Sequence, residues 1–167
     1  SLPAALVWEL WSAVLPRTPA QNAYTAEAMT WRLFAALGQL SPQSSPALQS
    51  YLADAADWRR FDLARRIAAS FDQYMVYRPD MLLGWEEGRH STSHPDENWQ
   101  AGLWRDLVTS NGDRHRARLH QDFLRSLSSA QGLPERLSVF GLPALPPAVF
   151  DALRATAAWV EVHLFLV

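Results

Sequence analysis

Residues 71–82, FDQYMVYRPDML, crowd Asp72, Gln73 and Arg78 among Phe71, Tyr74, Met75 and Tyr77. A carboxylate, an amide and a guanidinium set between aromatic rings suit one of two roles. They form the solvated side of an ordinary helix, or a surface that holds a ligand by hydrogen bonds and stacking. Two groups of arginines raise the same question: Arg59, Arg60, Arg65 and Arg66, then Arg114, Arg116 and Arg118. In the first group, Asp57 with Arg60 and Asp62 with Arg66 have the spacing of ion pairs along a solvated helix face. The second group falls at an expected helix start, where the helix dipole disfavours cations. An anionic group placed there would compensate them.

Other chemistry is poorly supported. His90 and His94 sit four apart in a Ser/Thr/Pro-rich stretch, and His115 and His120, five apart, point to different faces of a helix. Solvated or locally bonded histidines are expected, with no metal site. The acidic neighbours Glu86–Glu87 and Asp96–Glu97 are adjacent, so their side chains diverge and read as surface charges. There is no G-x-S-x-G, no H-E-x-x-H and no glycine-rich phosphate loop; Gly141 opens GLPALPP, which lacks a second glycine. With no cysteine there is no disulfide framework, zinc ribbon or thiol nucleophile. All 15 basic residues are arginine. A GC-rich coding bias accounts for that, but the consequence is chemical: a Walker A loop and a Schiff-base enzyme both need a lysine. No catalytic residue is expected.

The elements that must position these side chains follow from periodicity. Residues 4–15 carry an apolar helical stripe (Ala4, Leu6, Val7, Leu10, Trp11, Val14, Leu15) closed by Pro16. Thr25 is the expected cap of a second helix with Met29, Leu33, Phe34 and Leu37 inward. ALQSYLADA forms a third. A fourth runs from Asp57 to Tyr77, with Phe61, Ala64, Ala68, Phe71 and Met75 three or four apart, and Pro79 stops it. PDMLLGWEEG predicts a short turn of helix, RHSTSHPDEN a loop, and WQAGLWRDLVTS a helix broken at NGD. The last long helix spans RHRARLHQDFLRSLSSAQ, with Leu119, Phe123, Leu124 and Leu127 buried, up to Gly132 and Pro134.

The period then changes. RLSVFGL reads as a strand, PPAVFDALRATAA as a helix and WVEVHLFLV as a second strand: a βαβ crossover with parallel strands. Two parallel strands make no stable sheet alone, so this chain reads as a piece of a longer protein. The expected class is mainly α with a small C-terminal α/β part. A helical bundle over 1–133 is followed by a βαβ unit over 134–167.

Composition sets the outer bounds. The chain has 167 residues, 49% of them hydrophobic, enough for a real core. No apolar run approaches the roughly 20 residues of a membrane span, and a cytoplasmic protein without membrane contact is expected. A net charge of −2 disfavours a dedicated duplex-DNA binder. Eight tryptophans are mostly core, with a few partly exposed rings able to stack on bases.

FDQYMVYRPDML, followed in order by WQAGLWRDLV, HRARL and VFGLPALPPAVFDALRA…VEVHLFLV, resembles RecC, the gamma subunit of exodeoxyribonuclease V, the RecBCD complex. The likeness runs from LPAALVW to the last strand. It implies an inactivated helicase-like domain from the N-terminal half of that subunit. Such subunits split duplex DNA between two motor subunits, hold the unwound 3′-ended strand in a channel and test it for the Chi sequence. The implied partners are single-stranded and forked DNA and RecB-like and RecD-like subunits. No cofactor belongs to this piece, ATP and Mg being bound by those partners. By match to the family, Leu2 and Trp8 line the channel, as do Asp72, Gln73 and Arg78 of the D-Q-Y-x-V-Y-R-P block and Arg116 of H-R-A. Ala69 and Ser70 depart from it, replacing a channel aspartate and a channel leucine. A mixed Asp/Gln/Arg set suits reading of bases by their edges, since Asp accepts from a cytosine amino group and Arg bonds a guanine edge. The competing roles are an Asp72–Arg78 pair that merely closes the helix end, and a scaffold that docks motor subunits without touching DNA.

Overall fold

The structure, a computed structural model, describes residues 3–16, 18, 23–39, 45–53, 56–128, 131–140 and 145–165. The described residues form eight helices and two strands. In order these are α1 (Pro3–Val14), α2 (Ala26–Leu37), α3 (Pro46–Leu52), α4 (Asp57–Tyr77), α5 (Pro79–Glu86), α6 (Pro95–Asn111), α7 (Arg116–Ser126), β1 (Arg136–Phe140), α8 (Pro147–Thr156) and β2 (Glu161–Phe165). None of the described helices is long and apolar enough to cross a membrane.

Local chemistry explains most of the boundaries. The Ala28 N–H donates to Thr25 Oγ1 at 3.1 Å, the cap expected for α2, and the Leu48 N–H donates to Ser45 Oγ at 3.3 Å ahead of Pro46 in α3. Helix α4 covers the expected residues and stops where Arg78 (φ −137°, ψ 50°) leaves the helical region before Pro79. Three expectations need correction. PDMLLGWE is a full eight-residue helix rather than a short turn, because Pro79 is pre-set for a first helical position and Met81, Leu82, Leu83 and Trp85 all find burial. Residues 95–98, expected in the loop, are the first turn of α6, started by Pro95 behind the His94 cap, with Asp96 and Glu97 at the positive end of the dipole. Helix α7 is shorter than expected, and Leu124 is 39% exposed, one residue round from the buried Phe123.

The chain divides into two compact units, Gln21–Ala117 and Ser1–Ala20 with Arg118–Val167. The core of the first is strongly aromatic. Phe71 meets Trp104 edge-on at 5.4 Å (79° between planes) and Trp85 at 6.4 Å (68°), with Met29, Leu33, Ile67, Met75, Leu82 and Leu103 around them.

In the second unit Val7, Leu10, Trp11 and Leu15 bury with Leu119, Phe123, Leu137, Val149 and Leu153. Strands β1 and β2 are parallel, in register from Arg136 opposite Glu161 to Phe140 opposite Phe165, with α8 as the crossover. Gly132 turns the chain ahead of β1 at φ +82°, and a Cβ there would stand 2.7 Å from the Ala13 carbonyl oxygen. Both the dihedral and the close approach demand glycine.

Candidate nucleic-acid interface

Helix α4 turns Ala64, Ile67, Ala68, Phe71 and Met75 into the core. Its opposite side, over the C-terminal half, exposes Ala69, Ser70, Gln73 and Tyr77. Ala69, Gln73 and Tyr77 are four apart and so lie in one row. Of the aromatic side chains in the opening block, Phe71 is fully buried and Tyr74 is half-buried, edge-on to Trp85 and donating from its hydroxyl to Gln100 Oε1 at 3.4 Å. Tyr77 alone of the three offers an open ring, 52% exposed.

Asp72 borders the row, and its Oδ1 accepts from Arg116 Nη1 at 3.2 Å. Both side chains are about a third exposed, so the pair contributes at most about 1 kcal/mol. Arg116 is the first residue of α7, where the dipole repels a cation, and the Asp72 carboxylate supplies the compensating anion. The structure therefore brings together two expected site residues that lie 44 positions apart. The pairing of Asp72 with Arg78 does not form. Arg78 leaves the helical region just past the end of α4 and instead faces Asp80 at 3.6 Å. Gln73 and Arg78 are exposed near the same helix end. Trp8 belongs to the other unit, half-buried on its apolar cluster with its ring 5.7 Å from Trp11. Leu2 lies outside the described residues.

The residues that hold this face in place include two carboxylates expected at the surface. Glu97 is buried. Its Oε1 accepts from Trp85 Nε1 (2.7 Å), the Ser91 N–H (2.6 Å) and Ser91 Oγ (2.9 Å); Oε2 accepts from the Thr92 N–H (2.7 Å) and Thr92 Oγ1 (2.5 Å). Burial opposes ionisation, but the hydrogen bonds from Thr92, Trp85 and Ser91 outweigh it and hold the carboxyl far below its ordinary range. Glu86 Oε1 takes the Trp104 indole N–H at 3.2 Å and lies 2.7 Å from Nε2 of the fully buried His115. Tyr24 stacks edge-on against His115 and donates to the Gly112 carbonyl, and burial followed by the Glu86 charge pushes its phenol up.

Of the two states expected for the histidines, solvated or locally bonded, neither His115 nor His120 is solvated: both are buried, His115 against Glu86. Burial pushes the His120 imidazole down, with Asp151 pulling the other way. His115 precedes α7, so helical spacing does not govern it. The signal for both carboxylates was present in the sequence. Two core tryptophans carry indole N–H groups that require acceptors, and Glu97 and Glu86 supply them from 12 and 18 positions away. Among the described residues no three potential metal ligands converge.

The two pairs that spacing predicts in the first arginine group form, Arg60 with Asp57 at 2.8 Å and Arg66 with Asp62 at 2.7 Å, and Arg65 joins Asp62 as well at 3.0 Å.

The family model described as the RecC N-terminal domain matches residues 1–167. The chain belongs to the RecC family. It is 39% identical over 175 residues to the RecBCD enzyme subunit RecC of Escherichia coli (strain K12), an alignment covering 98% of this chain and 16% of that relative. Against the RecC of Haemophilus influenzae it is 33% identical over 202 residues, covering 98% of the chain and 17% of the relative. Against that of Mycobacterium tuberculosis (strain H37Rv) it is 36% identical over 108 residues, covering 64% and 10%. The chain therefore spans about a sixth of the length of the first two RecC proteins.

Proposed function

We propose that this chain is a non-catalytic, DNA-handling part of a RecC subunit, and that the outer face of α4 contacts the unwound 3′-ended strand and contributes to inspection for a Chi-like sequence. The observation that carries this reading is the Asp72–Arg116 pair bordering the exposed row of Ala69, Gln73 and Tyr77, with Arg78 exposed at the same helix end. A guanidinium has five donors, so Arg116 keeps several after meeting one carboxylate oxygen. The pair fixes the guanidinium against α4, and the exposed Gln73 amide and Tyr77 ring on that helix add groups that read base edges and stack. Ala69 and Ser70 are exposed on this helix end too. The two departures from the family pattern therefore fall on the proposed reading face, and the preferred DNA sequence is expected to differ accordingly. For Leu2 and Trp8 the assignment to the strand path rests on family resemblance.

The relatives are named RecBCD enzyme subunits, and the assembly proposed for this chain is the same: RecB-type and RecD-type partners that bind ATP and Mg and drive unwinding in the cytoplasm.

Arg116→Ala and Asp72→Ala, each in the full complex, test this directly. The expected result is a loss of sequence response of about tenfold, the scale of one good base contact, while unwinding continues. Unchanged response in both variants would leave α4 as a scaffold for motor subunits, without a role in reading DNA.

A further inference from the structure

The unit Gln21–Ala117 carries a second concentration of exposed chemistry, at the other end of α4. Trp58 is 68% exposed, Trp31 61% and Tyr51 46%. The Arg59 guanidinium lies 5.5 Å from the Trp58 ring and 5.9 Å from that of Tyr51. Phe61 follows Trp58 by one turn, and the Trp31 ring lies 5.1 Å from it. Tyr51, Arg59, Trp58, Phe61 and Trp31 therefore make one continuous strip across α3, α4 and α2.

Two features indicate what covers it. Among the described residues of this unit, the exposed large hydrophobics are Trp31, Tyr51, Trp58 and Tyr77: all are aromatic, and none is aliphatic. Residues 57–66 hold four arginines against two aspartates, a local charge of +2 in a chain of −2. Arg59 has no carboxylate partner among the described residues, unlike Arg60, Arg65 and Arg66. The centre of a protein interface, where tryptophan and arginine anchors sit, is depleted of acidic residues; here Asp57 and Asp62 lie on the same stretch of helix as the rings. Flat rings amid unbalanced arginine fit stacked bases joined by phosphates.

We propose that this strip binds single-stranded nucleic acid without reading its sequence, bases stacking on Trp58, Trp31 and Tyr51 while Arg59 meets a phosphate. The strip starts 14 residues before Asp72, about 21 Å along the helix, and it does not depend on Asp72 or Arg116 acting on DNA.

The test uses the full-length polypeptide that carries this chain, alone and in its complex, with bromodeoxyuridine-substituted oligothymidylate as probe. Photo-crosslinked peptides should include Tyr51, Trp58 or Trp31. Replacing Trp31 and Trp58 together by alanine should weaken oligothymidylate binding by about tenfold per ring lost, with an unchanged circular dichroism spectrum. Phenylalanine at both positions should restore most of the affinity. Unchanged affinity, with adducts confined to other residues, would overturn the proposal. So would a double alanine variant that still binds the oligonucleotide but no longer holds its partner subunits, the behaviour of a protein contact. A uniform thymidine probe offers no sequence to read, so failure of the α4 reading face leaves this result unaffected.

Discussion

Alanine in place of Glu97 is expected to lower folding stability by about 3–5 kcal/mol, where an exposed glutamate would change it by no more than about 0.5 kcal/mol. The substitution strands the buried Trp85 indole N–H and removes the charge-assisted hydrogen bonds that tie the exposed Ser91 and Thr92 to the carboxylate. A buried donor left unmatched costs about 1–3 kcal/mol, and each hydrogen bond to a charged group contributes about 1.5 kcal/mol or more. The change should appear as a lower urea midpoint with an unaltered slope, followed by tryptophan fluorescence. Glu97→Gln should fall between the two, because its NH2 group points one donor at others. The pH dependence has a definite sign. Hydrogen bonding makes the folded-state carboxyl more acidic than in the unfolded chain, so the unfolded chain binds more protons below the ordinary value of 4.5. The contribution is complete above that value and is lost as acidification proceeds through the lower folded value. The natural chain should therefore lose stability more steeply below pH 4.5 than Glu97→Gln does. Parallel acid limbs would mean that the buried carboxylate is not what clamps the start of α6.

Phe71→Ala should have a comparable effect, about 3–5 kcal/mol, by opening a cavity between two indoles that cannot close together. Phe71 is fully buried and edge-on to both Trp85 and Trp104. Phe71→Leu refills most of the volume and should cost roughly 1–2 kcal/mol. Thermal unfolding of the two variants separates these values. A small loss in the alanine variant would show that α4 is held by its flanking residues rather than by this aromatic centre.

Much of the fold was legible where a single helix decides its own burial. Helix α4 follows from one apolar stripe and a proline stop, and α2 from a stripe and a threonine cap. The βαβ crossover is written in a change of period from helical to alternating. The start of α6 was missed because Ser, Thr, His and Pro read as a loop, whereas Glu97 lies inside the helix and draws the loop's own N–H groups onto itself. Leu124 was placed inward because a wide apolar stripe does not state which of its edges meets solvent. Packing of residues 7–15 against residues 119–153 depends on contacts more than 100 positions apart, which no local pattern encodes. At the candidate site, the block around Asp72 was recognisable as a unit, and the dipole argument at Arg116 called for an anion. That Asp72 supplies it, and that Arg78 turns away to Asp80, required the helices in place.

Phe140 and Phe165 lie parallel at 4.4 Å on neighbouring strands, both well exposed, and β1 and β2 have only each other as ladder partners among the described residues. Among the described residues each strand thus keeps one margin without a ladder partner, beside a greasy ring pair. Such a margin is a template for any extended peptide, including another copy of itself. Prepared in isolation at high concentration, these residues are the natural seed for sticky, fibre-prone material, and a charged substitution at Phe140 is the simplest way to keep the chain dispersed.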